Sequence, residues 1–249
     1  MTTKEHYDKH LGNFYSWMAG DFETKQQEFY DFLVDNAIIP SSTKNAIDLG
    51  AGHGIQSVPL AKLGFNVTAI DFNNQLLDEL KNNARGQKVE IINEDIRKIK
   101  QFAGKEPELI ICCGDTISHL NNITEIENLI SDISAILKPG GKILFSFRDY
   151  SIELTGDSRF ILVKSDETRI LTCILDYDKE SVRVTDLLHE KTETSWNQKV
   201  SSYNKVRIST GEISRLLEAN GLIIQLNKVV NRMTNIIATK LNQNEERNI

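Results

Sequence analysis

The chain has 249 residues, a length that suits a single elaborated α/β domain, and its 40% hydrophobic and 26% charged residues are typical of a protein with a full core. A net charge of −6 argues against a nucleic-acid-binding protein, which usually has a basic face. The sequence also lacks a membrane-spanning apolar run, a signal-peptide core and any metal-ligand spacing among its three cysteines. We therefore expect a cytoplasmic protein that contacts no membrane and binds no metal.

The first forty residues form the first predicted unit, a helical lid over the main domain. Aromatic residues are frequent between positions 7 and 37, and from Asp21 onward Phe22, Phe29 and Phe32 recur at roughly helical spacing. This pattern predicts two helices. Pro40 and the polar residues after it mark the loop that ends the lid at residue 40.

Strands and helices then alternate through residues 41–150, the predicted core domain. The strands are expected at 46–49, 66–70, 89–93, 108–113 and 142–147, and the helices at 55–63, 75–84 and 123–137. Asn73 or Asn74 is a suitable N-cap for the second of these helices. Short apolar strands in alternation with helices predict an α/β fold with a mostly parallel sheet covered on both faces.

The pattern changes after residue 150. Segments 169–176, 181–188 and 199–207 favour strands with no long helix between them, which predicts an antiparallel β extension over residues 151–208. This extension is expected to be a substrate cap or a dimer face. Residues 209–249 follow, with a helix at 210–220 capped by Ser209 or Thr210, strands at 222–229 and 235–241, and a polar tail from Asn242 that we expect to fray.

The glycine-rich turn after the first core strand carries the strongest functional signal. Gly50, Gly52 and Gly54 lack Cβ atoms, so the backbone of the turn can lie against a ligand, and the following helix directs unpaired N–H groups to the same place. Asp48 precedes the turn and favours a cationic or amine-bearing ligand. Asp71 ends the next strand, where a carboxylate can bind ribose hydroxyls. These features indicate a nucleoside cofactor.

The spacing within the turn distinguishes two kinds of cofactor. A dinucleotide site requires G-x-G-x-x-G, because the pyrophosphate sits on a helix N-terminus. This chain has G-x-G-x-G instead, beginning at Gly50, and Asp48 would repel a pyrophosphate while attracting an ammonium group. The turn therefore favours S-adenosylmethionine over a nicotinamide or flavin dinucleotide.

Four stretches between residues 44 and 150 resemble the motifs of class I S-adenosylmethionine-dependent methyltransferases, in the correct order and spacing. They are Ala46-Ile47-Asp48-Leu49-Gly50-Ala51-Gly52-His53-Gly54, Val67-Thr68-Ala69-Ile70-Asp71, Asn93-Glu94-Asp95-Ile96 and Ile136-Leu137-Lys138-Pro139-Gly140-Gly141. The resemblance implies a Rossmann-like, seven-stranded, mostly parallel sheet with strand order 3-2-1-4-5-7-6. It fades over the N-terminal helices and the β extension.

The resemblance also implies roles for residues at the strand ends. Asp71 would hold both ribose hydroxyls, and Asp95 would accept from the adenine amino group. Phe72 and Ile96 would sandwich the adenine ring, and Asp48 would contact the amino end of the methionine directly or through its turn. The remaining predicted cofactor-binding residues belong to the glycine turn and to the end of the fourth strand, where sulfonium and acceptor should meet: Gly50, Ala51, Gly52, Gly54, Cys113 and Gly114.

The acceptor is expected to be a small molecule. The end of the fourth strand lacks the Asn-Pro-Pro-aromatic or acidic tetrad of nucleic-acid amino methyltransferases, and residues 115–120 resemble small-molecule enzymes instead. His119 is a candidate acceptor contact or general base, against a role in packing. Tyr15 and Trp17 are candidate lid residues over the methionine. Arg148 is a candidate for binding an acceptor carboxylate beside Asp149, or the two simply pair.

The sequence therefore predicts an enzyme that transfers a methyl group from S-adenosylmethionine to a nitrogen or oxygen of a small molecule. We expect no nucleic-acid partner and consider a homodimer possible. Two other functions stay open: a nicotinamide-dependent oxidoreductase with a variant glycine turn, and a non-catalytic subunit that binds S-adenosylmethionine.

Overall fold

The structure is a computed structural model that describes residues 1–241, so the predicted fraying from Asn242 lies outside the described residues. The α-helices are α1 Thr3–Lys9, α2 Tyr15–Ala19, α3 Phe22–Asp35, α4 Ser57–Lys62, α5 Asn74–Asn83, α6 Ile123–Ile136 and α7 Thr210–Ala219. The strands are β1 Asn45–Leu49, β2 Asn66–Asp71, β3 Val89–Asn93, β4 Leu109–Cys112, β5 Lys142–Phe147, β6 Phe160–Ser165, β7 Arg169–Tyr177, β8 Ser181–Lys191, β9 Trp196–Val206, β10 Leu222–Val230 and β11 Met233–Lys240. Short 3-10 helices cover Leu11–Asn13, Ile96–Lys105, Thr116–His119 and Gly156–Arg159.

The core is a seven-stranded sheet in the order β3-β2-β1-β4-β5-β11-β10. Strands β1 to β5 run parallel, and β11 enters antiparallel between β5 and β10. The predicted fold class and strand order are thus confirmed. Helices α3, α4 and α5 cover one face of the sheet, and α6 and α7 cover the other. The carboxyl ends of the parallel strands therefore meet at one edge, where α/β sheets bind ligands.

Two predicted helix caps are present. Asn73 caps α5 by accepting from the N–H of Leu76 at 2.9 Å. Ser209 caps α7 by accepting from the N–H of Glu212 at 3.1 Å, and Glu212 in turn accepts from the N–H of Ser209 at 2.8 Å. Such caps satisfy N–H groups that the helix leaves unpaired, which explains why these two helices begin where the sequence indicates.

The N-terminal region differs from its prediction, because it holds three α-helices and a 3-10 turn instead of two helices. Helix α1 begins early because Thr2 and Glu5 form a capping box, with Thr2 Oγ1 accepting from the Glu5 N–H at 3.2 Å and Glu5 accepting from the Thr2 N–H at 3.0 Å. Gly20, with φ of +101°, ends α2, and Asp21 caps α3. The T-x-x-E spacing was a readable signal for α1.

Residues 160–206 form a second, four-stranded antiparallel sheet in the order β6-β7-β8-β9, which we call the insert sheet. Strand β6 was missed, because it is a short, largely exposed edge strand that contains Lys164 and a register shift. The inner face of the insert sheet packs Leu171 and Leu188 against Leu11 and Phe14. Lid and insert sheet therefore support one another beside the core.

The outer face of the insert sheet exposes apolar side chains on both of its edge strands, among them Phe160, Leu162 and Val200. A homodimer through this face stays a prediction, which size-exclusion chromatography tests. Among residues 1–241 no helix is long and apolar enough to cross a membrane.

Candidate active site

The glycine turn leaves β1 and is held against the end of β2. The N–H groups of Gly50 and Ala51 both donate to the carbonyl of Ile70, at 2.9 and 3.0 Å. Gly50 has φ of +76°, and a Cβ on it would lie 2.4 Å from Thr116. Gly52 has φ of +52°, and a Cβ on it would lie 3.8 Å from Tyr15. The turn thus needs glycine at both positions for its backbone conformation, and at Gly50 also for space.

Asp71 joins the end of β2 to this turn. Its carboxylate accepts from the N–H of Gly52 and from the N–H of Asn73, each at 2.9 Å. Only 9% of the residue is exposed, and burial raises the pKa of the carboxyl although both hydrogen bonds oppose that shift. A carboxylate has about four lone-pair sites, so two remain for a hydroxyl-bearing ligand.

Asp95 follows β3 and caps the 3-10 helix that begins at Ile96. Its carboxylate accepts from the N–H of Arg97 at 2.9 Å and from the Arg97 guanidinium Nε at 3.0 Å. The pKa of Asp95 lies below its usual value. Partial burial alone would raise this pKa, but the hydrogen bonds and the charge of Arg97 together lower it by more. Arg97 also pairs with Glu125 at 2.9 Å, so the carboxylate is fixed in a network at this end of the site.

The end of β4 is organised by a buried ion pair that sequence reasoning missed. Asp115, with φ of +73°, accepts from the N–H of Arg148 at 3.0 Å, from the hydroxyl of Tyr150 at 2.8 Å and from the ammonium of Lys205. Burial raises the pKa of Asp115, but the charge of Lys205 and the hydrogen bonds from Lys205 and the Arg148 N–H together outweigh burial and hold the pKa below its usual value. Lys205 lies on β9, ninety residues along the chain, so no local pattern indicated the pair.

His119 closes the 3-10 helix after β4. Its ring stacks on Tyr203 at 5.5 Å between centroids and meets the edge of Tyr7 at 5.6 Å. Burial and then the charge of Lys205 lower its pKa to about 3, so the imidazole is neutral at pH 7. Its Nδ1 is buried without a hydrogen-bond partner among the described residues. His119 therefore has hydrogen-bonding capacity that the protein itself does not use.

Helices α1 and α2 form a roof over these strand ends. Tyr7 of α1 lies edge-on to Phe72, 5.7 Å away, and Tyr15 of α2 lies edge-on to His53, 5.2 Å away. Burial raises the pKa of Tyr15 to about 12, so its hydroxyl stays protonated. Tyr15 was predicted as a lid residue and lies in the roof, whereas Tyr7 was missed although it belongs to the same aromatic stretch.

A cavity of about 520 Å³ lies between the roof and the strand ends. This volume falls within the usual range of small-molecule sites. The predicted site residues that line it are Tyr15, Gly50, Ala51, Gly52, Asp71, Phe72, Asp95, Ile96, Cys113, Gly114 and His119. The structure thus brings eleven sequence-predicted residues from five separate segments to one cavity.

Two predicted cofactor residues lie behind the cavity wall. Asp48 is buried under the turn, where it accepts from the Ser57 hydroxyl at 2.5 Å, and burial raises its pKa to about 7. Gly54 faces away from the cavity, since a Cβ there would lie 2.3 Å from Leu80 of α5. In this structure both residues support the turn from below, so any influence on a ligand passes through the backbone.

Three predicted acceptor residues also lie outside the cavity wall. The Trp17 indole N–H donates to Asp166 at 2.5 Å, which turns the ring towards the insert sheet. Arg148 is exposed. Asp149 accepts from the N–H groups of Ser151 and Thr210, at 2.9 and 2.7 Å, and so holds the start of α7. In this structure Trp17 therefore joins the lid to the insert sheet, Arg148 lies at the surface, and Asp149 stabilises the start of α7.

The wall also contains side chains that were absent from the predicted site, among them two beside the glycine turn. His53, between Gly52 and Gly54, lines the cavity, and its Nε2 is buried without a partner among the described residues. Gln56 lines the same region. In the described part of the chain no three His, Cys, Asp or Glu side chains are grouped to hold a metal ion.

Comparison with known proteins agrees with this geometry. Residues 46–141 match the family described as a methyltransferase domain. The putative methyltransferase YqeM of Bacillus subtilis is 29% identical over 181 residues, which are 68% of this chain and 71% of that protein. The ubiquinone biosynthesis O-methyltransferase of Coxiella burnetii is 32% identical over 120 residues, 45% of this chain and 49% of that protein, so the match spans about half of that relative.

A solved structure extends the likeness to nearly the whole fold. The S-adenosylmethionine-bound CalS10, an amino pentose methyltransferase from Micromonospora echinaspora, superposes with a TM-score of 0.72 at 15% identity, over 90% of this chain and 93% of that chain. At 15% identity this superposition shows that the two proteins share a fold and nothing more.

Family match, relatives and fold agree with the strand-end motifs and support a class I S-adenosylmethionine-dependent methyltransferase. It is an enzyme, and S-adenosylmethionine is its cofactor. The wall of the cavity fits this cofactor, because it combines the backbone of the glycine turn at Gly50, Ala51 and Gly52 with the strand-end carboxylate of Asp71. These findings decide against the nicotinamide-dependent oxidoreductase and the non-catalytic subunit.

Proposed function

We propose that the enzyme methylates a nitrogen or oxygen of a small-molecule acceptor. The observation that carries this proposal is the roof of α1 and α2, which leaves a cavity of about 520 Å³ over the strand ends. A nucleic acid would favour an open groove with a basic surface, whereas this chain has a net charge of −6. An O-methyltransferase of ubiquinone biosynthesis and an amino pentose methyltransferase are among the proteins it resembles, and both act on small molecules.

We further propose how the cavity is divided. Asp71 binds the ribose hydroxyls through its free lone pairs, and Asp95 accepts from the adenine amino group. Phe72 and Ile96 flank the adenine ring. The methionine part then lies along the backbone of Gly50, Ala51 and Gly52, with Cys113 and Gly114 beside the sulfonium. Support comes from the position of all these residues on one cavity wall, in the order in which their strands lie in the sheet.

His119 is proposed as the acceptor contact. It lies on the wall at the end of β4, with its ring held by Tyr203 and Tyr7. Because its pKa is lowered to about 3, the free imidazole is a weak base and a neutral hydrogen-bonding group. We propose that it accepts a hydrogen bond from the N–H or O–H of the acceptor and so orients the attacking lone pair.

The protein's contribution to the reaction is then mainly alignment. Bound S-adenosylmethionine supplies an already activated methyl group on its sulfonium. The roof tyrosines and His119 hold the acceptor in line with that group, which replaces a bimolecular encounter by a positioned one, and the roof keeps water out. Such positioning can supply several kcal/mol of the barrier reduction.

To test this proposal, the purified protein is incubated with a metabolite extract and with S-adenosylmethionine that carries a labelled methyl group. Mass spectrometry then identifies the molecules that carry the label. We expect the label on one or a few small molecules. Label that appears only on protein or nucleic acid would overturn the proposal. A His119→Gln variant is expected to raise the acceptor KM and lower kcat by roughly tenfold or more, while the affinity for S-adenosylhomocysteine changes little.

A further inference from the structure

Three aromatic side chains line the cavity where the roof meets the end of β4. They are Tyr7, Tyr15 and His119, and we call them the aromatic wall. The ring centroid of Tyr7 lies 6.1 Å from that of Tyr15 and 5.6 Å from that of His119. The Tyr15 hydroxyl oxygen also lies over the glycine turn, since a Cβ on Gly52 would be 3.8 Å from it. The aromatic wall therefore borders the place that the proposed function gives to the acceptor.

The aromatic wall carries no charge at pH 7. Burial lowers the pKa of His119 to about 3 and raises the pKa of Tyr15 to about 12. Burial also raises the pKa of Tyr7 well above its usual value. The imidazole is therefore neutral, and both hydroxyls keep their protons. A general base works best when its pKa lies near the operating pH, so none of these three groups is suited to remove a proton from an acceptor hydroxyl.

The charges nearest to the aromatic wall are already paired. Lys4 lies over the Phe72 ring, 5.8 Å from its centroid, and pairs with Asp8 at 2.7 Å. The charge of Lys205 acts on His119 from behind the wall, but its ammonium donates to Asp115, and neither member of this pair lines the cavity. An anionic acceptor would thus meet no unpaired cation there among residues 1–241.

Possible acceptor groups make different demands on such a wall. A hydroxyl must give up its proton to a base, and a carboxylate or phenolate must be bound by a cation when it leaves water. An amine that has lost its proton to bulk water needs neither, because its lone pair attacks directly. Of these groups, the free amine is the one that a neutral aromatic wall accommodates.

We infer that the acceptor is an amine bound at the aromatic wall, so that nitrogen is the methylated atom. This inference rests on the proposed function, which takes the acceptor to lie at His119. The amine lone pair forms the bond to the methyl carbon as the carbon–sulfur bond breaks, and the electron pair of that bond stays on sulfur as a neutral thioether. The positive charge moves from sulfur to nitrogen, and the product leaves as an ammonium ion.

The aromatic wall stabilises this new charge. The faces of the Tyr7 and Tyr15 rings attract a cation through their electron-rich π systems, and such contacts are strongest where water is excluded. His119 accepts a hydrogen bond from an N–H of the amine. The wall thus interacts more strongly with the forming ammonium than with the neutral amine, which is what lowers a reaction barrier.

The test identifies the atom that receives the methyl group and uses the wild-type enzyme. The enzyme is incubated with S-adenosylmethionine labelled with ¹³C in its methyl group and with a metabolite extract from cells grown on ¹⁵N as their nitrogen source. The small-molecule product is separated from the protein, and its methyl signal is recorded by NMR. We expect that signal to be split by one-bond coupling to ¹⁵N, and to shift with pH as the product amine titrates.

The possible failures are distinguishable. An unsplit methyl signal, from a methyl group on oxygen, sulfur or carbon of a small molecule, overturns the amine while the small-molecule assignment stands. A signal that is split but does not move with pH is accepted only for a quaternary ammonium product, which has no proton to lose; for any other product it overturns the amine. Label that appears only on protein or nucleic acid contradicts the proposed function itself.

A second measurement tests the ring faces, with the amine identified in this way as the acceptor. Tyr15→Leu should lower kcat by roughly twofold to thirtyfold at saturating substrates, whereas Tyr15→Phe, which keeps the ring, should stay close to wild type. The concentration of folded enzyme is counted by its binding of S-adenosylhomocysteine. Tyr30→Leu is the control, because Tyr30 lies on α3 and does not line the cavity. Equal losses of kcat in Tyr15→Phe and Tyr15→Leu, or no loss in Tyr15→Leu, would overturn the role of the aromatic wall.

Discussion

The buried pair between Asp115 and Lys205 provides a test of how the insert sheet is fastened to the active site. Both side chains are buried, and the pair joins β9 to the end of β4, next to His119. Lys205→Met keeps most of the apolar stem but removes the ammonium. Breaking one side of a buried ion pair typically costs about 3–5 kcal/mol, because the other charge stays buried.

We expect a loss of stability at the lower end of this range, because Asp115 keeps two of its hydrogen bonds. The hydroxyl of Tyr150 and the N–H of Arg148 still donate to the carboxylate in the variant. We therefore expect Lys205→Met to lower the free energy of unfolding by about 3 kcal/mol at pH 7, measured by urea denaturation with an unchanged m-value. Adding Asp115→Asn should recover much of the loss, because no uncompensated charge then remains.

The pH dependence follows from the directions of the two pKa shifts. The pKa of Asp115 is lowered in the folded protein, so its contribution is present above the unfolded value of about 3.9 and is lost as the pH falls through the folded value. The pKa of Lys205 is raised, so its contribution is present below about 10.4 and is lost at higher pH.

In Lys205→Met the carboxyl loses the partner that opposed burial, so its pKa should rise. The difference in stability between wild type and variant should then be smaller at pH 4 than at pH 7. A loss below 1 kcal/mol at pH 7, or a double variant no more stable than the single one, would refute this account of the pair.

Three further changes have distinct expected outcomes. Asp71→Asn should weaken S-adenosylhomocysteine binding by roughly tenfold and also lower thermal stability, because an amide has one acceptor oxygen for the N–H groups of Gly52 and Asn73; unchanged affinity by calorimetry would contradict the ribose role. Gly54→Ala should cost about 1–3 kcal/mol in a melting experiment, because its Cβ would lie 2.3 Å from Leu80, and the same change should cost less when it is measured against Leu80→Ala alone. His6, buried on α1 with its Nε2 3.1 Å from Asp186, ties the roof to the insert sheet, so His6→Phe should weaken S-adenosylhomocysteine and 5′-methylthioadenosine equally in equilibrium dialysis.

The parts of the structure that sequence predicted well have their determinants close together along the chain. The caps at Asn73 and Ser209 lie within three residues of the groups that they bind, and the strand that begins at Lys142 follows directly from a Pro-Gly-Gly stop. The strand order came from the family resemblance, since spacing alone does not determine which strands are neighbours. Local chemistry and motif order together were sufficient for the core sheet, and the residues predicted at the cofactor end of the site stay a prediction.

The acceptor end was predicted less completely, because its contacts join distant segments. His119 was identified, but the ring beside it, Tyr203, and the cation that lowers its pKa, Lys205, come from β9. Strand β9 reaches the end of β4 only when the insert sheet has formed, and the sequence pattern does not specify where that sheet packs. Trp17 and Arg148 lie outside the cavity wall in this structure, because an aromatic or charged side chain near a site in sequence can turn to another neighbour.

Asp48 and His53 show that a residue's position beside the glycine turn does not by itself decide its role. The acid before the glycines suggested a direct ligand for an ammonium group, yet it is covered by the turn and satisfied by Ser57. Its pKa is raised to about 7, as expected for a carboxyl that the fold keeps from water. His53, four residues after β1 ends, lines the cavity, but its unpartnered Nε2 is itself buried. A place in the motif therefore does not decide whether a polar atom reaches the ligand, because the fold covers both the Asp48 carboxyl and this nitrogen.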